Sequence, residues 1–139
     1  MAEATEAPGR KAAIVTGGAS GIGLGVTEHL AKQGYNVAVL DVNIESGSEV
    51  VSKLSAENPQ ARLVFKKCDV SSWQSQAEAF KETYTEFGKI NFVFANAGIS
   101  ERGKTGIANF TEDEPQEPNL KVVDVNLTGV IFCKSSSQR

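Results

Sequence analysis

The chain has 139 residues, room for one domain with a single core, and its 40% hydrophobic against 22% charged residues is a globular balance that excludes an intrinsically disordered protein. A formal net charge of -3 argues against a nucleic-acid partner, and no apolar run approaches the roughly eighteen residues that cross a bilayer. The opening "MAEATEAPGRK" carries two glutamates and no apolar core, so it is not a secretory signal, and a cytoplasmic location is expected.

Residues 1–10 read as a disordered tail, residues 11–133 as one domain, and residues 134–139 ("KSSSQR") as a polar tail. Within the domain, Ala12 to Thr16 reads as a buried strand and Gly21 to Gln33 as a helix with Ile22, Val26 and Leu30 on one face. "YNVAVLD" (Tyr35 to Asp41) is a second strand, and residues 45–57 form a helix bearing Val50, Val51 and Leu54, stopped by the Asn58-Pro59 turn. "ARLVFKKCDV" holds a third strand. Trp73, Ala77, Phe80, Tyr84 and Phe87 then recur at spacings of four and three, one face of a third helix that Gly88 closes. "INFVFANAG" supplies a fourth strand. Residues 99–115 read as a long polar loop of the kind that borders a site, followed by a helix near Gln116 to Cys133 with Val122, Val125, Gly129 and Phe132 toward the sheet.

Strands alternating with helices, and nearly continuous in apolar residues, predict an α/β fold: a doubly wound parallel sheet with helices on both faces. Cys68 and Cys133 are the only cysteines, far apart and with neither a second cysteine nor a histidine at metal-ligand spacing, so they read as buried free thiols. His29 reads as a solvated helix residue. No metal site can be assembled.

The chemistry concentrates in "IVTGGASGIG", where four glycines fall between Gly17 and Gly23 directly after the first strand. Ligands of a parallel sheet bind beyond the carboxyl ends of its strands, and a helix N-terminus there favours an anion. Gly17 permits the tight turn, Gly21 lets a diphosphate approach the backbone, and Gly23 allows close helix–strand packing. The spacing T-G-x-x-x-G-x-G lacks the Gly-Lys-Ser/Thr ending of a nucleoside-triphosphate loop. Asp41 ends the second strand, where a carboxylate can accept from the adenosine ribose hydroxyls and repel a 2′-phosphate. No Arg or Lys follows in "DVNIESG", so NAD is expected over NADP; the alternative is that Asp41 merely caps a turn.

Together these segments resemble the short-chain dehydrogenase/reductase family, N-terminal half, which implies a Rossmann-type sheet. "TGGASGIG" is similar to that family's cofactor loop, so Thr16, Gly17, Ser20, Gly21, Ile22 and Gly23 are expected at the cofactor. Cys68-Asp69-Val70 resembles its segment after strand three, where Asp69 would bond the adenine amino group and Val70 would contact the ring through backbone. Asn96-Ala97-Gly98 resembles the N-A-G motif bracing the sheet beside the cofactor. "VNLTGV" resembles the fourth helix, where Asn126 would be the catalytic asparagine, in a helix that bends. "VAVLDVNIESG" followed by "CDVSSWQSQ" is most similar to the NAD-dependent, prostaglandin-dehydrogenase-like branch. Each motif also has a plain structural reading: Asp69 as a charge before a helix capped by Ser71 or Ser72, Asn96 to Gly98 as a turn, Asn126 as a polar helix residue.

The resemblance implies hydride transfer between a nicotinamide cofactor and an alcohol or carbonyl, with a tyrosine as general acid/base and a lysine four positions on. A phenol with a pKa near 10 needs such help at neutral pH. Here the only tyrosines are Tyr35 and Tyr84, followed four positions later by Val39 and Gly88, so Tyr-x-x-x-Lys is absent. The chain therefore reads as the cofactor half of such an enzyme, truncated after the fourth strand and fourth helix. It is expected to bind the dinucleotide's adenine portion, and to be inactive on a small alcohol or carbonyl substrate unless the missing residues complete it. The alternative reading is a non-catalytic dinucleotide-binding or interaction protein that pairs its bare fourth strand with a full-length relative, as a homo- or hetero-oligomer. Neither nucleic acid nor membrane is an expected partner.

Overall fold

The computed structural model of the chain describes residues 9–101 and 117–137. The polar loop beyond Glu101, the first residue of the last helix as read from sequence, and most of the N-terminal tail lie outside those residues. Four strands, β1 (Ala12–Thr16), β2 (Asn36–Asp41), β3 (Leu63–Lys67) and β4 (Phe92–Ala95), alternate with helices α1 (Gly21–Lys32), α2 (Ile44–Glu57) and α3 (Trp73–Phe87). The final helix, α4, is continuous but changes pitch: an α-helical turn at Lys121–Val123, a π-helical turn at Asp124–Thr128, and an α-helical stretch at Gly129–Ser136. It runs through Lys134 to Ser136, the segment read from sequence as polar tail.

All strands are parallel in the order β3-β2-β1-β4, with Ala13 opposite both Val37 and Phe92. The central strands β1 and β2 are buried along nearly their whole length, which is why they lack polar alternation. On one face Leu30, Ala31 and Leu54 of α1 and α2 pack on Ala13, Val15, Val37 and Val39. On the other, Ala79, Phe80 and Phe87 of α3 with Val125 and Cys133 of α4 pack on Ala12, Ile14, Ala38 and Leu40. Burial of five strand residues of β1 alone removes enough apolar surface to be worth several kcal/mol, at about 25 cal/mol per Å².

Local chemistry sets the ends. Asn43 Oδ1 accepts from Ser46 N–H (2.9 Å) to cap α2, and Ser72 Oγ accepts from Ser75 N–H (3.2 Å) to cap α3. Gly88 ends α3 at φ +71°, its N–H donating to Tyr84 O.

Two helix faces differ from expectation. Ile22 is 77% exposed, and α1 instead buries Gly23, Thr27, Leu30 and Ala31. In α3, Trp73 and Tyr84 are exposed at 50% and 47%, while Gln76 and Thr83 are fully buried. Both groups place their donors on backbone oxygens: Thr83 Oγ1 donates to Ala79 O (2.7 Å), and Gln76 Nε2 donates to Val70 O and, 53 residues away, to Gly129 O, both at 2.8 Å. The second of these fastens α3 to the end of β3 and to α4. Among the described residues no helix is long and apolar enough to cross a membrane.

Candidate functional site

The order β3-β2-β1-β4 places consecutive strands β1 and β2 to one side and sends the chain back to β4 on the other, so a crevice opens at the carboxyl ends between β1 and β4. A cleft of about 450 Å³ lies there, bounded by β-strand ends, the β1–α1 loop and the start of α4.

The β1–α1 loop forms one wall. Gly17 adopts φ +64°, and any Cβ there would come within 2.9 Å of the Ala97 backbone. At Gly23 a Cβ would collide with Gly17 O, so helix and loop touch through bare backbone. Gly21, at φ +53°, is the opposite case: nothing lies within 4 Å of where its Cβ would be. The Ser20 side chain makes no cap bond to α1. The loop is thus tight at Gly17 and Gly23 and open at Gly21, and Ser20 and Ile22 at the start of α1 line the cleft.

Asp41 joins this wall from the end of β2. Its Oδ2 accepts from Ala19 N–H (3.2 Å) and its Oδ1 from Asn43 N–H (3.1 Å), so it both fastens the glycine loop and shapes the following turn. The turn-capping alternative therefore describes part of what Asp41 does, while the residue still lines the cleft.

After β4, Asn96 to Gly98 cross beside β1. Thr16 Oγ1 accepts from Asn96 N–H (3.0 Å) and Ala97 N–H (3.1 Å), and Asn96 Nδ2 donates to Thr16 O (3.2 Å) and Gly17 O (3.4 Å). Thr16 is buried and acts from below the cleft rather than in it. After β3, Asp69 and Val70 line the opposite wall. Asp69 Oδ1 accepts from Ser71 Oγ (2.6 Å) and Ser71 N–H (3.0 Å). Those bonds, with the positive charge of Lys121, hold the Asp69 carboxyl below its usual range.

Asn126 falls in the π-helical turn of α4, where Gly129 N–H reaches back to Asp124 O. Its side-chain amide clamps the backbone of Ile99: Nδ2 donates to Ile99 O and Oδ1 accepts from Ile99 N–H, each at 2.8 Å. So the asparagine fixes the chain leaving Gly98, and only the walls it positions reach the cleft.

Of the residues singled out from sequence, Gly17, Ser20, Ile22, Asp41, Asp69, Val70, Asn96, Ala97 and Gly98 come together around the cleft. Val42, Cys68, Ile99 and Lys121 line it too. Strand geometry could have found Val42 and Cys68, since Cys68 N–H donates to Asp41 O. Lys121 carried no local signal. Cys68 and Cys133 are buried in one core, and burial pushes each thiol up to about 11. Among the described residues no three His, Cys, Asp or Glu side chains gather to hold a metal.

Fold and site together define a Rossmann-type α/β domain with a cleft at its topological switch point. The family model for short chain dehydrogenase matches residues 11–137, and the chain belongs to that family of oxidoreductases. It is 33% identical over 129 residues to secoisolariciresinol dehydrogenase of Forsythia intermedia, covering 93% of this chain and 44% of that protein. It is 36% identical over 127 residues to the NADP-dependent dehydrogenase clz5 of Cochliobolus lunatus, covering 88% and 43%. Among solved structures, an alcohol dehydrogenase from Thermococcus sibiricus complexed with 5-hydroxy-NADP superposes with a TM-score of 0.79 at 26% identity, covering 92% of this chain and 52% of that one. The chain thus spans about half the length of the relatives it matches.

Proposed function

We propose that this chain binds the adenosine-diphosphate portion of a nicotinamide dinucleotide, NAD in preference to NADP, as the cofactor half of a dehydrogenase acting on an alcohol or carbonyl. The observation that carries the reading is the convergence of the β1–α1 loop, through Gly17, Ser20 and Ile22 on either side of the open Gly21, with Asp41 and Asp69 on one cleft at the strand ends. The residues fit the group: the α1 N-terminus and bare Gly21 would take the diphosphate, Asp41 the ribose hydroxyls, and Asp69 and Val70 the adenine. The bound cofactor supplies hydride acceptance or donation at its nicotinamide. This chain's own contribution is to bind and orient it, with Asn126 holding the Ile99 backbone at the far wall.

Turnover needs a proton-transfer group, and neither Tyr35 nor Tyr84 lines the cleft or precedes a lysine by four positions. The 139-residue chain is accordingly proposed to bind without catalysing. The prostaglandin-dehydrogenase-like branch remains part of this proposal, supported by "VAVLDVNIESG" and the carboxylate it carries; the relatives reported above include an NADP-dependent enzyme.

Calorimetric titration of the full chain tests the reading. NAD and AMP bind, and NADP binds more weakly. Because Asp41 also holds Ala19 and Asn43, Asp41→Asn is the informative variant: it removes the charge and keeps an acceptor. It should narrow the NAD-over-NADP preference by roughly tenfold, the worth of about one unit charge contact. A chain that binds neither NAD nor AMP, or an Asp41→Asn variant with its preference intact, would sink the corresponding part of the proposal.

A further inference from the structure

Gln76, near the start of α3, is polar, has no exposed surface and stands outside the cleft. Its Nε2 donates to Val70 O just after β3 and to Gly129 O in α4, both at 2.8 Å, while Oε1 is buried with no hydrogen-bond partner among the described residues. An apolar side chain of that size would leave no orphan acceptor, so what the amide adds over one is the pair of directed bonds.

The two carbonyls belong to segments in direct contact. A Cβ on Gly129 would lie 2.9 Å from Val70 Cγ2 and 3.2 Å from Val70 O, so α4 rests on the chain after β3 through bare backbone. Each segment then carries one side of the cleft. Val70 lines it directly. Gly129 closes the π-helical turn through its N–H bond to Asp124 O, and Asn126 within that turn holds both backbone groups of Ile99 at 2.8 Å. Ile99 lines the cleft as well.

Resting on the dinucleotide reading above, we infer that Gln76 is a positioning residue for the cofactor: from beneath the cleft it sets the distance between the Val70 wall and the Ile99 wall, by bonding the two segments that carry them. Hydrogen bonds suit this task because they are directional, whereas apolar packing at the same place lets α4 slide along its neighbour. A ligand confined to one wall is indifferent to that distance. One that spans both must match it, as a whole dinucleotide does and its adenylate half does not.

The test measures NAD and AMP binding by calorimetry for the full chain and for Gln76→Met, Gly129→Ala and Thr83→Val. Gln76→Met keeps the length and removes both donors: NAD weakens about tenfold, the worth of roughly one misplaced hydrogen bond, and AMP about twofold or less. Gly129→Ala pushes Val70 away with its added methyl and gives the same split with Gln76 intact. Thr83→Val removes a buried bond internal to α3, to Ala79 O, and leaves both affinities unchanged. Without ligand, the Ile99 amide held by Asn126 exchanges faster in the first two variants and not in the third, read by NMR. Equal losses of NAD and AMP in Gln76→Met overturn the inference, as does NAD binding at the unmodified level. So does the same split in Thr83→Val, or one exchange rate for the Ile99 amide in all of these proteins. An unmodified chain that binds neither ligand instead fells the dinucleotide reading, and this role with it.

Discussion

At the scale of single residues, burial and hydrogen bonding fix which groups can react. Both cysteines have thiols raised to about 11, mainly because the core withholds water from the thiolate. At pH 8 their alkylation in the native chain should run roughly two orders of magnitude slower than in urea, where the pKa returns to about 8.5. Equal rates, followed by mass spectrometry, would contradict the packing described here. Asp69 shifts the other way, chiefly through the Ser71 hydroxyl. Ser71→Ala should raise its titration midpoint toward the ordinary carboxylate value, measurable by NMR on the side-chain carboxyl. The sign follows: with the folded value depressed, the carboxylate's contribution is present above the usual carboxylate range and is lost as pH falls through the lowered value.

At the scale of elements, the joint between α3, the end of β3 and α4 depends on one amide. Gln76 is fully buried and donates to carbonyls on both neighbours. Gln76→Ala leaves Val70 O and Gly129 O without that donor and should cost about 2–3 kcal/mol, read from a urea midpoint. Trp73, the single tryptophan, meets Phe132 edge-on at 5.4 Å and reports the separation of α3 from α4 by fluorescence in the same experiment. This joint also marks the limit of what the sequence disclosed. Strand positions and the glycine loop were legible because they depend on local patterns: continuous apolar runs, a capping serine, a closing glycine. The face of α3 was not, since hydropathy alone assigned Trp73 and Tyr84 inward, whereas Gln76 and Thr83 are buried with their donors satisfied by backbone oxygens. Lys121 was illegible for a different reason: only the parallel crossover brings the start of α4 to the end of β3, more than fifty residues earlier in the chain.

At the scale of the whole molecule, one side is left apolar. Leu120, just before α4, and Val123, Leu127 and Ile131 within it recur at three- and four-residue steps, all at least 43% exposed, and among the described residues β4 pairs on one side only. The purified chain should associate as its concentration rises, and Leu127→Lys with Ile131→Glu should shift sedimentation toward the monomer without moving the circular-dichroism spectrum. Unchanged sedimentation across a hundredfold dilution would refute this. The register carries a last consequence, in time rather than space. Asn91 Oδ1 accepts from Ala12 N–H across 79 residues, and β4 adds to β1 at comparable separations. Closing so long a loop is slow relative to forming β1-α1-β2. During synthesis β1 therefore waits with one flank unpaired until residue 95 has left the ribosome. Pulse-labelled hydrogen exchange should find the β1–β2 amides protected before those that bind β4, which makes the wall carrying Asn96 the last part of the cleft to be built.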